Sequence, residues 1–110
     1  MDAPCNGWPN RVTWQMSAFL STYKYSFVLA VVHREWERHR RNGRRSREVQ
    51  RAVALRLRAA VEQNIAAIKQ TGDLEDEAIE RRSEVDWLRI ADSWLFVLHG
   101  YKRQADAQAS

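Results

Sequence analysis

The chain has 110 residues, of which 45% are hydrophobic and five are Trp, a composition that excludes a disordered tail and fits one folded domain over residues 1–110. Its longest apolar run, Phe27 to Val32, is far shorter than the roughly 20 residues of a membrane-spanning helix, so we expect a cytoplasmic protein without a membrane segment. The formal net charge is +4, and the single Cys excludes an internal disulfide and a cysteine-based zinc site.

The first forty residues predict an irregular arm followed by two helices. Residues 1–9 hold two Pro and one Gly, which favours an irregular arm. Asn10 can cap a short helix over residues 11–21, and apolar residues three and four apart predict a second helix over residues 25–41. Asn42-Gly43 is a helix stop. The inward face of the second helix is predicted to hold Tyr25, Val28, Leu29, Val32 and Trp36.

The middle of the chain predicts its longest helix. Ser46 is a candidate N-cap, and helical periodicity continues over residues 47–70. Thr71-Gly72-Asp73 supplies a stop and a new cap. The predicted apolar stripe of this helix is Val49, Val53, Leu57, Ala60, Val61, Ile65 and Ile68, widened by Ala52, Leu55, Ala59 and Ala66.

The last part of the chain predicts two further helices. A short acidic helix is expected over residues 74–82, and Asp86 can cap a final helix over residues 87–99 that Gly100 ends. The polar tail, residues 102–110, is expected to fray. No stretch alternates apolar and polar residues with the period of a strand. The predicted fold class is therefore all-α, a compact bundle of four to five helices with a Trp-rich core.

Reactive side chains are not clustered in the sequence. His33 with Glu37, and Glu35 with His39, are four residues apart, a spacing that is typical of pairs on a solvated helix surface. Cys5 has no neighbouring His, and the sequence has no Gly-rich phosphate-binding loop. We therefore expect no enzymatic activity, no metal site and no cofactor.

Charge is segregated along the chain. Between residues 34 and 58 there are ten Arg against three Glu, whereas between residues 73 and 86 there are seven acidic residues against two Arg. Guanidinium groups pair with phosphate or carboxylate, so the basic segment is a candidate contact for a nucleic-acid backbone or an acidic protein surface. The alternative is a solvated face that the downstream acids partly neutralise. The candidate partner-binding residues are Arg40, Arg41, Arg44, Arg45 and Arg47, and Glu75, Asp76, Glu77 and Glu80.

Two short motifs resemble those of a known family. The first is Asn6-Gly7-Trp8-Pro9-Asn10-Arg11-Val12-Thr13-Trp14, and the second is Glu84-Val85-Asp86-Trp87-Leu88-Arg89-Ile90-Ala91. They resemble the N-G-W-T-N-x-E-T-W and E-V-[ND]-W-x-x-I-A motifs of small uncharacterised proteins encoded by phages and plasmids. The chain departs from that pattern at Pro9 and Val12, where the family has the Thr and Glu of a capping box.

The resemblance implies a helical fold and a mobile-element origin in a bacterial host cell, and it carries no catalytic residue over. We interpret the motif residues as packing and capping residues, because a large indole is usually buried and a side-chain oxygen of Asn, Asp or Thr can satisfy a helix N-terminus. These residues are Asn6, Trp8, Asn10, Thr13, Trp14, Asp86 and Trp87.

Three functional hypotheses follow from these observations. The first is a non-catalytic accessory protein that binds and blocks a host protein or ribonucleoprotein complex, such as the CRISPR defence system (an anti-CRISPR type of function). The second is a nucleic-acid-binding regulator that uses the Arg-rich segment, residues 34–58. The third is self-assembly through the apolar stripe of the long helix, and the oligomeric state stays open.

Overall fold

The computed structural model describes residues 7–41 and 46–109, with the side chains of residues 7–40 and 47–98. Within these ranges the chain forms six α-helices and no β-strand, which confirms the all-α fold class. The helices are α1 (Arg11–Tyr23), α2 (Tyr25–Arg41), α3 (Ser46–Gln63), α4 (Ile65–Thr71), α5 (Asp76–Glu80) and α6 (Trp87–Ala109), with a 3-10 turn at Arg82–Glu84. None of the helices in the described part is long and apolar enough to cross a membrane.

Side-chain caps begin two helices as predicted. Asn10 Oδ1 accepts a hydrogen bond from the Thr13 backbone N–H at 2.8 Å, and Asp86 Oδ1 accepts one from the Arg89 backbone N–H at 3.0 Å. Each bond satisfies a backbone donor that the first helical turn leaves without a partner. At the C-terminal end of α4, Gly72 adopts a left-handed conformation with φ of 70°, which glycine tolerates without a steric cost.

Several predicted helix boundaries are wrong. The long middle helix is interrupted at Asn64, whose side-chain amide donates to the Ala60 carbonyl at 2.7 Å, and such local side-chain bonds compete with the helical ladder. The acidic helix is confined to Asp76–Glu80. The final helix continues through Gly100 to Ala109 instead of ending at Gly100. One Gly costs a helix only about 1 kcal/mol relative to Ala, which does not by itself end it.

The core lies between α1, α2, α3 and α6 and is mainly aliphatic. Its largest fully buried side chains include Met16, Leu20, Leu57 and Ile90. Trp87 and Trp94 are buried, whereas Trp8 and Trp36 are partly buried against the core and Trp14 is half-buried. A Trp-rich core is therefore not confirmed.

The apolar stripe of the middle helix is covered by the chain itself. Val49, Val53, Leu57, Val61 and Ile68 are buried, and α3 packs against both α2 and α6. Of the residues predicted to widen the stripe, Leu55, Ala59 and Ala66 are exposed. The central line of the stripe is thus occupied within one molecule, whereas these three widening residues are accessible, and self-assembly stays a prediction.

A polar cluster joins α2 to α3 and is partly buried, in contrast to the prediction from the sequence. Glu35 and His39 were predicted to lie on a solvated face, but their relative exposures are 2% and 8%. Glu35 Oε2 lies 3.2 Å from His39 Nε2, and Arg56 Nε donates to Glu35 Oε1 at 3.2 Å. The physical reason is the register of α2, because Val28, Val32, Glu35 and His39 continue one helix face at steps of three and four residues.

Candidate functional site

The outer surface of α2 carries a line of exposed residues, Phe27, Ala30, Arg34 and Arg38, which we call the α2 stripe. At about 100° per residue, Phe27, Arg34 and Arg38 fall within about 40° of one another around the helix axis. Neither arginine forms an ion pair with a carboxylate of the described residues. The α2 stripe therefore presents, on the same face as an aromatic ring, two guanidinium groups without a partner among the described carboxylates.

A second exposed line, the α3 stripe, consists of Arg47, Arg51, Leu55 and Arg58. The three arginines lie within about 40° of one another around α3. They too form no ion pair with a carboxylate in the part of the chain that the structure describes. The start of α3 is fixed to α6, because Gln50 Nε2 donates to the Leu88 carbonyl at 3.0 Å.

The Arg-rich segment is distributed over several helix faces. Arg40 lies about 200° around α2 from Arg38, and its Nη1 is 3.9 Å from Glu37 Oε1. Arg56 is engaged by Glu35, although its side chain remains 62% exposed. Two of the predicted basic site residues, Arg40 and Arg47, lie on different helices, α2 and α3. The side chain of Arg41, and all of Arg44 and Arg45, lie outside the described residues.

The predicted acidic site divides into one engaged residue and three exposed ones. Glu77 is half-buried. Its carboxylate connects α5 to α1, because it accepts a hydrogen bond from Gln15 Nε2 at 3.4 Å and lies 3.7 Å from Arg11 Nε. It also lies 2.9 Å from Arg81 Nη1. The remaining three, Glu75, Asp76 and Glu80, are exposed. They form no ion pair with a cation among the residues that the structure describes.

No ion pair joins the α5 carboxylates to α2 or α3 in the part of the chain that the structure describes. The described ion pairs of α5 involve Arg11 and Arg81, and none of its carboxylates pairs with an arginine of α2 or α3 among the described side chains. Among the described side chains, an ion pair of the reverse polarity joins the acidic region to the end of α3, with Arg82 Nε 2.7 Å from Glu62 Oε1. Two surfaces of opposite charge therefore coexist in the folded chain.

The two family-like motifs contact each other. Asn10 Nδ2 donates to the Glu84 carbonyl at 3.0 Å, and the Asp86 backbone N–H donates to Thr13 Oγ1 at 2.9 Å. Thr13 is fully buried, whereas Asn10 is half-buried. The Arg89 guanidinium lies 5.0 Å from the centroid of the Trp8 ring, a cation–π distance. These are packing and capping contacts, and Asn6 lies outside the described residues.

An open cavity of about 390 Å³ lies between α1, α2, α3 and α4. Its wall is mostly apolar and includes Phe19, Leu20 and Phe27, and Lys24 and Asp73 are its charged members. The side-chain amide of Asn64, which also lines the cavity, donates to the Ala60 carbonyl. The cavity was not predicted from the sequence, where the only signal for it is Asn64 within an otherwise regular helical pattern.

An ion pair between Arg81 and Glu84, the first residue of the second motif, leads to a testable titration. Arg81 Nε and Nη2 donate to the two carboxylate oxygens of Glu84 at 2.6 and 2.9 Å. The Arg81 hydrogen bonds hold the pKa of the Glu84 carboxyl below its ordinary value. Because the pKa is lower in the folded than in the unfolded chain, the pair stabilises the fold above the unfolded-chain pKa. This contribution is lost as the pH falls through the folded-state pKa.

We expect Arg81→Gln to raise the pKa of Glu84 towards its ordinary value, because the charged donor is removed. The measurement is an NMR titration of the Glu84 side-chain carboxyl carbon. Arg58→Gln is the control, since Arg58 lies on the α3 stripe, and it should leave the Glu84 pKa unchanged. An unchanged pKa in Arg81→Gln would show that this pair does not form in solution.

Comparison with known proteins finds no matching family model, no similar curated protein and no similar solved structure.

Proposed function

We propose that this protein acts by binding, without chemistry of its own, to a host protein or ribonucleoprotein complex and blocking it, in the manner of a mobile-element inhibitor of a defence system such as CRISPR. The observation that carries this proposal is the pair of arginine stripes on α2 and α3. Five exposed arginines there, Arg34, Arg38, Arg47, Arg51 and Arg58, have no ion-pair partner among the described carboxylates. Their guanidinium groups are available for an anionic partner.

A ribonucleoprotein fits the charge distribution of the surface. Guanidinium groups bind phosphates and carboxylates with two parallel hydrogen bonds. The exposed carboxylates of Glu75, Asp76 and Glu80 favour basic protein surfaces instead. A partner that offers both an RNA backbone and a basic protein surface can engage both regions at once.

The test is co-purification of the tagged protein from a bacterial host lysate, with and without nuclease, read by mass spectrometry and nucleic-acid staining. We expect a specific complex whose recovery falls about tenfold or more when one arginine stripe is reversed, in Arg34→Glu/Arg38→Glu or Arg47→Glu/Arg51→Glu. These residues are exposed, and surface substitutions usually change stability by no more than about 0.5 kcal/mol. Circular dichroism checks the fold of each variant.

A second variant changes exposed charges on the acidic surface. Glu75→Gln/Glu80→Gln separates a contribution of the acidic surface from that of the arginines. Equal recovery of the complex by the wild type and both arginine-reversed variants would contradict the assignment of the stripes as the contact surface. Recovery of no specific partner, together with unchanged defence activity in cells that express the protein, would contradict the blocking function.

The same arginines favour a second candidate function, a regulator that binds free nucleic acid. This function predicts affinity that falls steeply with salt, with a log-log slope of about −0.9 for each duplex phosphate that is neutralised. A fluorescence titration against duplex DNA at several salt concentrations measures the slope. A flat response would contradict this candidate.

A further inference from the structure

Phe27 connects the α2 stripe to the cavity. Its side chain is 47% exposed and also forms part of the cavity wall. It lies seven residues before Arg34 and eleven before Arg38, which places it on the same face of α2, about 10 Å and 16 Å away along the axis. Lys24 lines the same cavity. One end of an arginine stripe therefore meets an exposed aromatic ring and a mostly apolar recess whose charged members are Lys24 and Asp73.

This combination is the one that single-stranded nucleic acid requires. Proteins that bind single strands use cationic side chains along the phosphate backbone and exposed aromatic rings on which bases stack. In a duplex the faces of the bases are stacked against one another and only their edges are accessible in the grooves. An aromatic ring in line with the phosphate-binding arginines therefore has a partner in an unpaired strand and none in a regular duplex.

We infer that the α2 stripe binds single-stranded nucleic acid, with phosphates on Arg34 and Arg38 and a base stacked on Phe27 at the mouth of the cavity. Lys24 supplies a further cation for the phosphate next to that base. The inference rests on the proposed function, because it takes the arginines as the contact surface, and it specifies the nucleic acid that they contact.

The test is fluorescence anisotropy at low salt with a labelled RNA strand of about 12 nucleotides, a length within the range of known single-strand sites. The duplex of the same sequence is measured in parallel. We expect the wild type to bind the single strand at least about fivefold more tightly than the duplex. Phe27→Leu should weaken single-strand binding by about fivefold or more, because it keeps an apolar side chain beside the cavity but removes the ring. Phe27→Trp should retain the affinity.

Two control variants make the result specific. Phe96 on α6 is 79% exposed, so Phe96→Leu removes an exposed ring outside the α2 stripe and should leave binding unchanged. Arg34→Glu/Arg38→Glu should weaken binding of both nucleic acids. Equal affinity for single strand and duplex, no effect of Phe27→Leu, or no binding of either probe would overturn the inference. The proposed function is judged separately, because co-purification that is lost in the arginine-reversed variants but kept in Phe27→Leu supports the function and rejects the stacked base.

Discussion

Replacing Leu57 with Ala is expected to lower the free energy of unfolding by about 2–5 kcal/mol. Leu57 lies on α3 with a relative exposure of 0%, among the core residues that join α3 to its neighbours. The substitution removes buried apolar surface, and the surrounding helices can close the resulting space only in part. Urea denaturation followed by circular dichroism measures the change.

The matched control is Leu55→Ala, two positions earlier on the same helix. Leu55 is 66% exposed on the α3 stripe, so its truncation should change the free energy of unfolding by no more than about 0.5 kcal/mol. Both variants make the same chemical change within one helix, and only burial distinguishes them. Equal destabilisation by the two would mean that α3 packs with a different face inward.

Replacing Thr13 with Val is expected to destabilise the fold by about 1–3 kcal/mol. Val has nearly the shape of Thr, so packing is kept, but the Asp86 backbone N–H loses the hydroxyl to which it donates. Thr13 is fully buried and the bond is partly buried, and a backbone donor that is shielded from water without an acceptor costs desolvation free energy. The measurement is again the free energy of unfolding from urea denaturation.

Thr22→Val is the control for that substitution. Thr22 lies on the same helix, α1, and is exposed, so the exchange should have little effect because Thr and Val have similar helix propensities. If Thr13→Val were as stable as the wild type, the hydrogen bond between the two motifs would contribute nothing to the fold.

The helices were predictable where local signals agree with burial. Asn10 and Asp86 fix the starts of α1 and α6, because a cap acts through residues only three positions away. The interruption at Asn64 was not predictable, since Asn also occurs on regular helix surfaces and only the observed side-chain bond identifies its role. The helix end predicted at Gly100 was wrong for a related reason, because Gly favours a helix stop without imposing one.

The candidate site was predictable in composition and not in geometry. The excess of Arg between residues 34 and 58 is evident from the sequence. Which of these arginines are neutralised depends on contacts such as that between Arg56 and Glu35, which are 21 positions apart. The exposure of Phe27 was equally difficult to predict from the sequence, since Phe27 begins an apolar run in which Val28 and Val32 are buried.

The contact between the two motifs affects how the protein is made. Asn10 and Thr13 find their partners at Glu84 and Asp86, 74 and 73 positions later in the chain. On the ribosome, α1 is synthesised well before these partners exist. The two hydrogen bonds that join α1 to Glu84 and Asp86 therefore cannot form until most of the chain has emerged. A prematurely terminated product lacking Asp86 leaves the Thr13 hydroxyl and the apolar surface around it uncovered, and exposed apolar surface of this kind makes incomplete chains prone to aggregation.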